Sequence, residues 1–583
     1  MSITVKYDVR VPMRDGVELS TDLYLPQDAG RPAAPGSPVQ RYPAILLRTP
    51  YLKTSREAFE LGAYFASHGY VVVWMDVRGR GDSDGRFVPY RHDGQDGYDA
   101  IEWCARQPWC DGNVGTMGGS YLARIQWLTA VLRPPHLRAM ITLVSPSDPF
   151  VEVPTGTEGP MHICWRHLVS GRVVQNLEVV DWMKVYEHLP LLTMDEALGR
   201  SLPDWREALS HPTLDEYWKP ICYQDKFHEV DVPVLHISGW YDDEQIGTLR
   251  NFIGMTRNGR TAAARAAQKL LMGPWTHQVN KERKIGEIDF GPQAIIDLRQ
   301  YELRWFDYWL KGIDTGIMRE PPVRIFVMGV NRWRDENEWP LARTQWTRYY
   351  LHSRGRANSR FGDGWLSTDP PAGAARRHGP PPLEPEPVAA PEPPDCYLYD
   401  PSRPVPFITD PTSSQIGGPD DYSAVERRDD VLVYTSAPLE EDLEVTGPIQ
   451  VELYASSSAV DTDFTAKLLD VWPNGFAQRL VDGIVRARYR EGFEREVFLE
   501  PGRIYRFNID LWNTSHVFRR GHAIRLEISS SAFPKYDRNL NTGGPIATET
   551  RMVVAEQRIY HDPEHPSCVI LPVIPPGREG QGG

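Results

Sequence analysis

No stretch of about 18 apolar residues runs through the chain, so no membrane-spanning helix is predicted. The opening MSITVKYDVRVPMRDGVELSTDLYLP lacks a basic start followed by an apolar run, so no secretory signal is read there. Cysteine is scarce. Cys104, Cys110, Cys164, Cys222, Cys396 and Cys568 are scattered and none makes a CxxC metal pattern. A cytoplasmic enzyme with reduced thiols is the default expectation. Basic charge is in deficit: 64 Lys and Arg against 78 Asp and Glu leave a net charge of −14. A nucleic-acid binder needs a basic face for the phosphates, so that class is set aside. No strict internal repeat is visible, so a solenoid or propeller is not expected.

What remains is an ordinary globular composition, 41% hydrophobic and 24% charged, over 583 residues. That length exceeds one hydrophobic core and favours two to four domains. The 18 tryptophans are expected mostly in cores, with a few lining a pocket.

The first residues alternate as a strand pair across a turn at Arg14-Asp15-Gly16. PAILLRT (43–49) and YVVVWMD (70–76) read as short buried strands with a helix around Arg56–His68 between them. A helix over 95–107, a strand over 113–119, a helix over 121–132 and a strand over 138–144 follow. This alternation predicts a parallel sheet with helices on both faces. Residues 149–229 carry helical runs and few strand signals, and read as a helical cap inserted over the sheet. The sheet resumes at VPVLHISGW (232–240) and KLLMGPW (269–275), and a long helix is predicted over 292–311, with Ile295, Leu298, Trp305, Phe306 and Trp309 on one face. The α/β part is thus expected over 1–148 and 230–316, and an all-β domain over 317–583. In the latter, 369–395 reads as a Pro-rich linker. From about 431 on, VLVYTS, IQVELYAS, FTAKLLDVW, IVRARYR, IYRFNIDLW and AIRLEISSS are short, evenly spaced strands, the pattern of a β-sandwich or jelly roll.

The chemistry centres on GTMGGSYLAR (115–124). Ser120 follows a strand and precedes a helix, the setting of a nucleophile elbow, although Leu122 replaces the glycine of Gly-x-Ser-x-Gly. Gly118 and Gly119 remove Cβ clashes from a tight turn, and the helix start aims backbone N–H groups at the site. A nucleophile needs a base and an orienting acid, in chain order Ser, acid, His. Asp242 and Asp243 stand just past one strand end and His277 just past the next, where open α/β sheets place their ligand crevice.

RTPY (48–51), DVRGRGDSDG (76–85), QPWCDGNVG (107–115), GGSYLARIQW (118–127), GWYD (239–242), GPWTH (273–277) and FDYWLKGIDTG (306–316) resemble the CocE/NonD family of serine hydrolases, in order and over nearly the whole chain. The resemblance implies an α/β-hydrolase domain with a helical cap and a C-terminal jelly roll. It implies a triad of Ser120, Asp242 and His277, with an oxyanion hole from the Tyr51 hydroxyl and the Tyr121 backbone N–H. It implies no metal and no organic cofactor. The family elbow commonly runs Gly-x-Ser-Tyr-x-Gly, and Ala123 stands at its last position here, which predicts a small packing adjustment. In the α-amino acid ester hydrolase branch, carboxylates after the acid bind the substrate's ammonium. Asp243 and Glu244 are candidates for that role, although Gln245 stands where the branch has a second carboxylate. Trp165 is a candidate pocket residue.

Blander readings compete with each of these. Ser120 could be a turn serine, His277 a loop histidine, Tyr51 a packed aromatic, and Asp243 and Glu244 surface carboxylates. GRGDSDG lacks the Lys-Ser/Thr of a phosphate loop and reads as a loop near the site. Trp182, Trp205, Tyr217 and Trp218 read mostly as cap core. The expectation is a serine hydrolase acting on a small-molecule ester or amide, without nucleic-acid or membrane partners and compatible with a homo-oligomer. Alternatives are an acylase, an X-Pro-type peptidase or an acyltransferase with the same triad, and, outside enzymes, a carbohydrate-binding protein.

Overall fold

A computed structural model describes residues 2–32, 37–156, 158–372, 392–412 and 416–576. Strands β1 (Ile3–Pro12) and β2 (Glu18–Pro26) form the antiparallel pair expected across the Arg14–Gly16 turn. They are followed by β3 (Tyr42–Thr49), β4 (Val71–Asp76), β5 (Cys110–Gly119), β6 (Leu137–Leu143), β7 (Val234–Gly239) and β8 (Gln268–Gly273). The strand order is β1-β2-β4-β3-β5-β6-β7-β8, and all pairings from β4 onward are parallel. Every residue of β3, β4, β7 and β8 is buried, as expected where helices cover both faces of a parallel sheet.

Helices α1 (Arg56–Ser67), α2 (Asp93–Ala105) and α3 (Tyr121–Ala130) supply that cover. Helix α1 starts where the Ser55 side chain accepts from the Ala58 N–H. The predicted helix over 292–311 is shorter than its pattern. It runs Leu298–Lys311, capped by Asp297 at its start and ended by Gly312 at φ 69°. Pro292–Ala294 is a separate 3₁₀ turn, and Ile295, in extended backbone, lies 40% exposed off the helical face.

The expected boundary at 316/317 cuts the sheet. Val323–Val327 pairs parallel with β8, and Arg332–Glu336 pairs antiparallel with that strand, so the first sheet continues to Glu336. Periodicity could not reveal this, because a sheet-edge strand and a sandwich strand read alike. Beyond it, strands from Gln345 to Ile574 form an 11-stranded, almost wholly antiparallel sheet wrapped around one apolar core, the β-sandwich domain. Residues 373–391 of the predicted linker lie outside the described residues.

The region between β6 and β7 holds short helices, among them His162–Leu168, Trp182–Tyr186 and Pro203–Leu209. Trp182 and Trp205 are cap core. The β-sandwich grips the segment after β7 directly. Gln245 Nε2–H donates to the Asn513 carbonyl at 2.9 Å, its Oε1 accepts from the Asn513 N–H at 3.0 Å, and Gln478 Nε2–H donates to the Tyr241 hydroxyl at 3.0 Å. No helix among the described residues is long and apolar enough to cross a membrane.

Candidate active site

Ser120 sits at the turn between β5 and α3 with φ 58° and ψ −125°, backbone strain of the kind that functional turns store. The turn is over-determined. The Ser120 N–H donates to both the Leu143 and Val144 carbonyls, at 3.0 and 3.1 Å, and its carbonyl accepts from the Ala123 and Arg124 N–H groups. Gly118 has φ 152°, and a Cβ there would stand 2.4 Å from the Leu122 Cβ. That close approach is what the glycine permits. Ala123 is fully buried in the first turn of α3.

Asp242 lies three residues past β7 and is 3% exposed. Its Oδ2 accepts from the Ser238 hydroxyl at 2.6 Å, its Oδ1 accepts from the Glu244 N–H at 3.1 Å, and Oδ1 stands 2.9 Å from His277 Nδ1. A proton on Nδ1 satisfies that contact and leaves Nε2 as the basic nitrogen. Ser238, on β7 itself, is the orienting partner that sequence reasoning missed. Its only signal was its place four residues before the acid.

Two more carboxyls crowd the imidazole. Asp243 Oδ1 is 3.7 Å and Glu244 Oε2 3.9 Å from Nδ1. Burial works to lower the His277 pKa, but the Glu244 charge, the Asp242 hydrogen bond and the Asp243 charge overcome it and hold the imidazole well above its ordinary range. Burial, reinforced by the neighbouring acids, raises Asp243 and Glu244. It raises Glu152, across the same cavity, to about 8. Glu244 Oε2 is buried and has no hydrogen-bond partner. Ligand atoms of Asp242, Asp243 and His277 fall within 4.8 Å of one another, close enough for a metal. Both Asp242 oxygens are already engaged by Ser238, Glu244 and His277, the bonding of an orienting acid. Gln245 turns away into the β-sandwich contact.

Tyr51 follows β3. Its hydroxyl accepts from Trp165 Nε1–H at 2.9 Å. Burial raises its phenol to about 12, against the lowering effect of hydrogen bonding to Trp165 and Ser120. Its loop is pinned to the cap by Arg80, fully buried, whose Nε donates to the Pro50 carbonyl at 2.8 Å and Nη1 to the Val169 carbonyl at 2.7 Å. The GRGDSDG loop is therefore a brace between the Tyr51 loop and the cap. Tyr121 opens α3, so its N–H has no intrahelical acceptor. Its hydroxyl points elsewhere, donating to Asp93 Oδ2 at 2.6 Å. Trp165 stacks against the Tyr121 ring at 5.9 Å.

Ser120, His277, Tyr51, Tyr121, Asp243, Glu244 and Trp165 all border one cavity of about 400 Å³, roofed by the cap and touched by Ile416 of the β-sandwich. Asp242 lies behind His277. Tyr217 and Trp218, expected mostly in the cap core, line the cavity as well. A serine, an imidazole with a buried acid behind it, and two N–H or O–H donors around one cavity are the parts of acyl transfer.

Known proteins are similar to this chain in sequence and fold. The family profile described as X-Pro dipeptidyl-peptidase (S15 family) matches residues 15–279, and that of the X-Pro dipeptidyl-peptidase C-terminal non-catalytic domain matches 315–570. The cocaine esterase of Rhodococcus sp. (strain MB1 Bresler) is 38% identical over 98% of this chain and 99% of its own. A solved α-amino acid ester hydrolase is similar at TM-score 0.81 and 26% identity, over 98% of this chain and 96% of that one. An aminopeptidase from a marine sediment archaeon (Thaumarchaeota archaeon) shares the fold at TM-score 0.82 and 24% identity, over 98% and 96% of the two chains.

Proposed function

Because the chain belongs to the CocE/NonD serine hydrolases of the X-Pro dipeptidyl-peptidase (S15) family, we propose that it cleaves small carboxylic esters or amides through an acyl-enzyme on Ser120. The observation that carries this reading is the Asp242–His277 pair at 2.9 Å, whose imidazole borders the same cavity as Ser120 on its strained elbow. His277 Nε2 takes the Ser120 proton as Oγ attacks the carbonyl carbon. Asp242 holds the imidazole in the Nδ1–H tautomer and stabilises its protonated form. The Tyr51 O–H and Tyr121 N–H donate to the oxyanion. The imidazolium then protonates the leaving group, and water, deprotonated by the same nitrogen, releases the acid. Ser120→Ala is expected to abolish both ester hydrolysis and labelling by a fluorophosphonate probe. Full labelling of that variant would refute the assignment. Among the described residues the cysteines form no disulfide, which supports a reducing, cytoplasmic setting.

The acyl group carries an ammonium in a second, narrower reading. It is favoured by Glu244 Oε2, which is buried without a hydrogen bond, and by Asp243 and Glu152 around the same cavity. A cation there restores charge balance to carboxyls whose ionisation burial opposes. Glu244→Gln is expected to erode the preference for α-amino acyl esters over plain acyl esters, read as a ratio of kcat/KM. An unchanged ratio removes the ammonium from the reading and leaves the triad untouched.

A further inference from the structure

The cavity also holds positive charge that the proposed chemistry does not use. Arg124 stands four residues after Ser120 on α3, one turn along the same face. Helical side chains lean toward the N-terminus, which here is the elbow. Arg124 lines the cavity yet is only 7% exposed. Its Nη2 donates to the Ile221 carbonyl at 3.3 Å, and its guanidinium lies 4.3 Å from the centre of the Tyr90 ring. Its Nε is buried without a hydrogen-bond partner. Among the described residues it forms no ion pair.

The acids that act on Arg124 electrostatically are already engaged. Asp148 accepts from the Tyr223 and Gln224 N–H groups at 2.9 and 3.0 Å. Glu152 accepts from the Ser147 N–H, and burial favours its neutral form. Arg91 repeats the pattern in the same cavity: it stacks 3.9 Å from the centre of the Tyr217 ring, and its Nη2 is buried without a partner. Arg166, by contrast, is paired with Glu158. A guanidinium withdrawn from water and left unpaired is unfavourable until an anion reaches it.

We propose that Arg124, seconded by Arg91, forms an anion subsite that receives a carboxylate carried by the substrate away from its scissile carbonyl. The planar guanidinium fork matches a carboxylate with two parallel hydrogen bonds. The inference rests on Ser120 being the nucleophile of this cavity. It adds that the natural acyl or leaving group is itself acidic.

The test compares two p-nitrophenyl esters of equal length, the neutral pentanoate and the hemiglutarate with its free carboxylate. Wild type is expected to favour the hemiglutarate. In Arg124→Met the ratio of kcat/KM values falls about 10- to 100-fold, the scale of one lost charge-assisted hydrogen bond. Arg124→Lys keeps the charge but not the planar fork, and retains only part of that ratio. Free glutarate competes with the neutral ester in wild type. An unchanged ratio in Arg124→Met, or an equal loss for both esters, overturns the proposal. If that variant does not fold, absence of glutarate competition in wild type overturns it alone. Should Ser120→Ala retain hydrolysis, the underlying assignment fails instead, so the two failures are distinguishable.

Discussion

Replacing Tyr51 by Phe removes one oxygen and one donor and leaves the ring in place. Trp165 Nε1–H already donates to the phenol oxygen at 2.9 Å, so the phenol's own proton is free for the oxyanion. With the phenol pKa raised to about 12 by burial, that proton is present throughout neutral pH. Loss of one preformed oxyanion donor costs about 10²- to 10³-fold in kcat, roughly 2.7–4 kcal/mol. The Tyr121 N–H remains, so hydrolysis does not vanish. KM should move less than about threefold, because the donor acts on charge that develops only in the transition state. The same substitution leaves the half-buried Trp165 Nε1–H without its acceptor, at a cost of about 1 kcal/mol in stability. Adding Trp165→Phe should recover that stability without recovering kcat. Steady-state hydrolysis of p-nitrophenyl acetate and chemical denaturation read the two quantities separately. A Tyr51→Phe kcat within about threefold of wild type refutes the oxyanion role.

Asp242→Asn keeps the shape but offers the imidazole an amide, favouring the wrong tautomer. kcat is expected to fall about 10⁴-fold with folding intact, and a fall under tenfold would remove Asp242 from the triad. The pH profile follows from the acids around His277. The base works as neutral imidazole, and Glu244, Asp242 and Asp243 raise its pKa well above the ordinary value. The acid limb of kcat/KM, activity rising with pH, should therefore lie above about pH 6.5. Glu244→Gln removes one neighbouring negative charge and should move that limb to lower pH. A limb that stays in place shows that Glu244 carries no charge there.

The order of strands and helices through β8 was legible because each element carries its own period and its own punctuation. Buried runs such as VVVWMD and the Gly-rich elbow are local signals. The elements read that way match the structure to within a few residues at their ends. Where two meanings share one local pattern, reading failed. PVRIFVMGV is a strand in any sheet, and only its pairing with β8 assigns it to the first one. The 292–311 pattern continues past the true helix start because apolar spacing does not register the turn at Pro292.

Residue types and chain order by themselves determined the chemistry on offer: a serine on a strand-to-helix turn, then an acid, then a histidine, each past a strand end. Tertiary structure alone decided which groups meet. It set Ser238 beneath Asp242, joined Trp165 of the cap to Tyr51, and turned Gln245 into the β-sandwich while Glu244 entered the cavity beside His277. It also placed Arg124 in the cavity wall beside the nucleophile. Burial is a property of neighbours far apart in sequence. The charges that set the His277 pKa therefore act together only once the chain has folded.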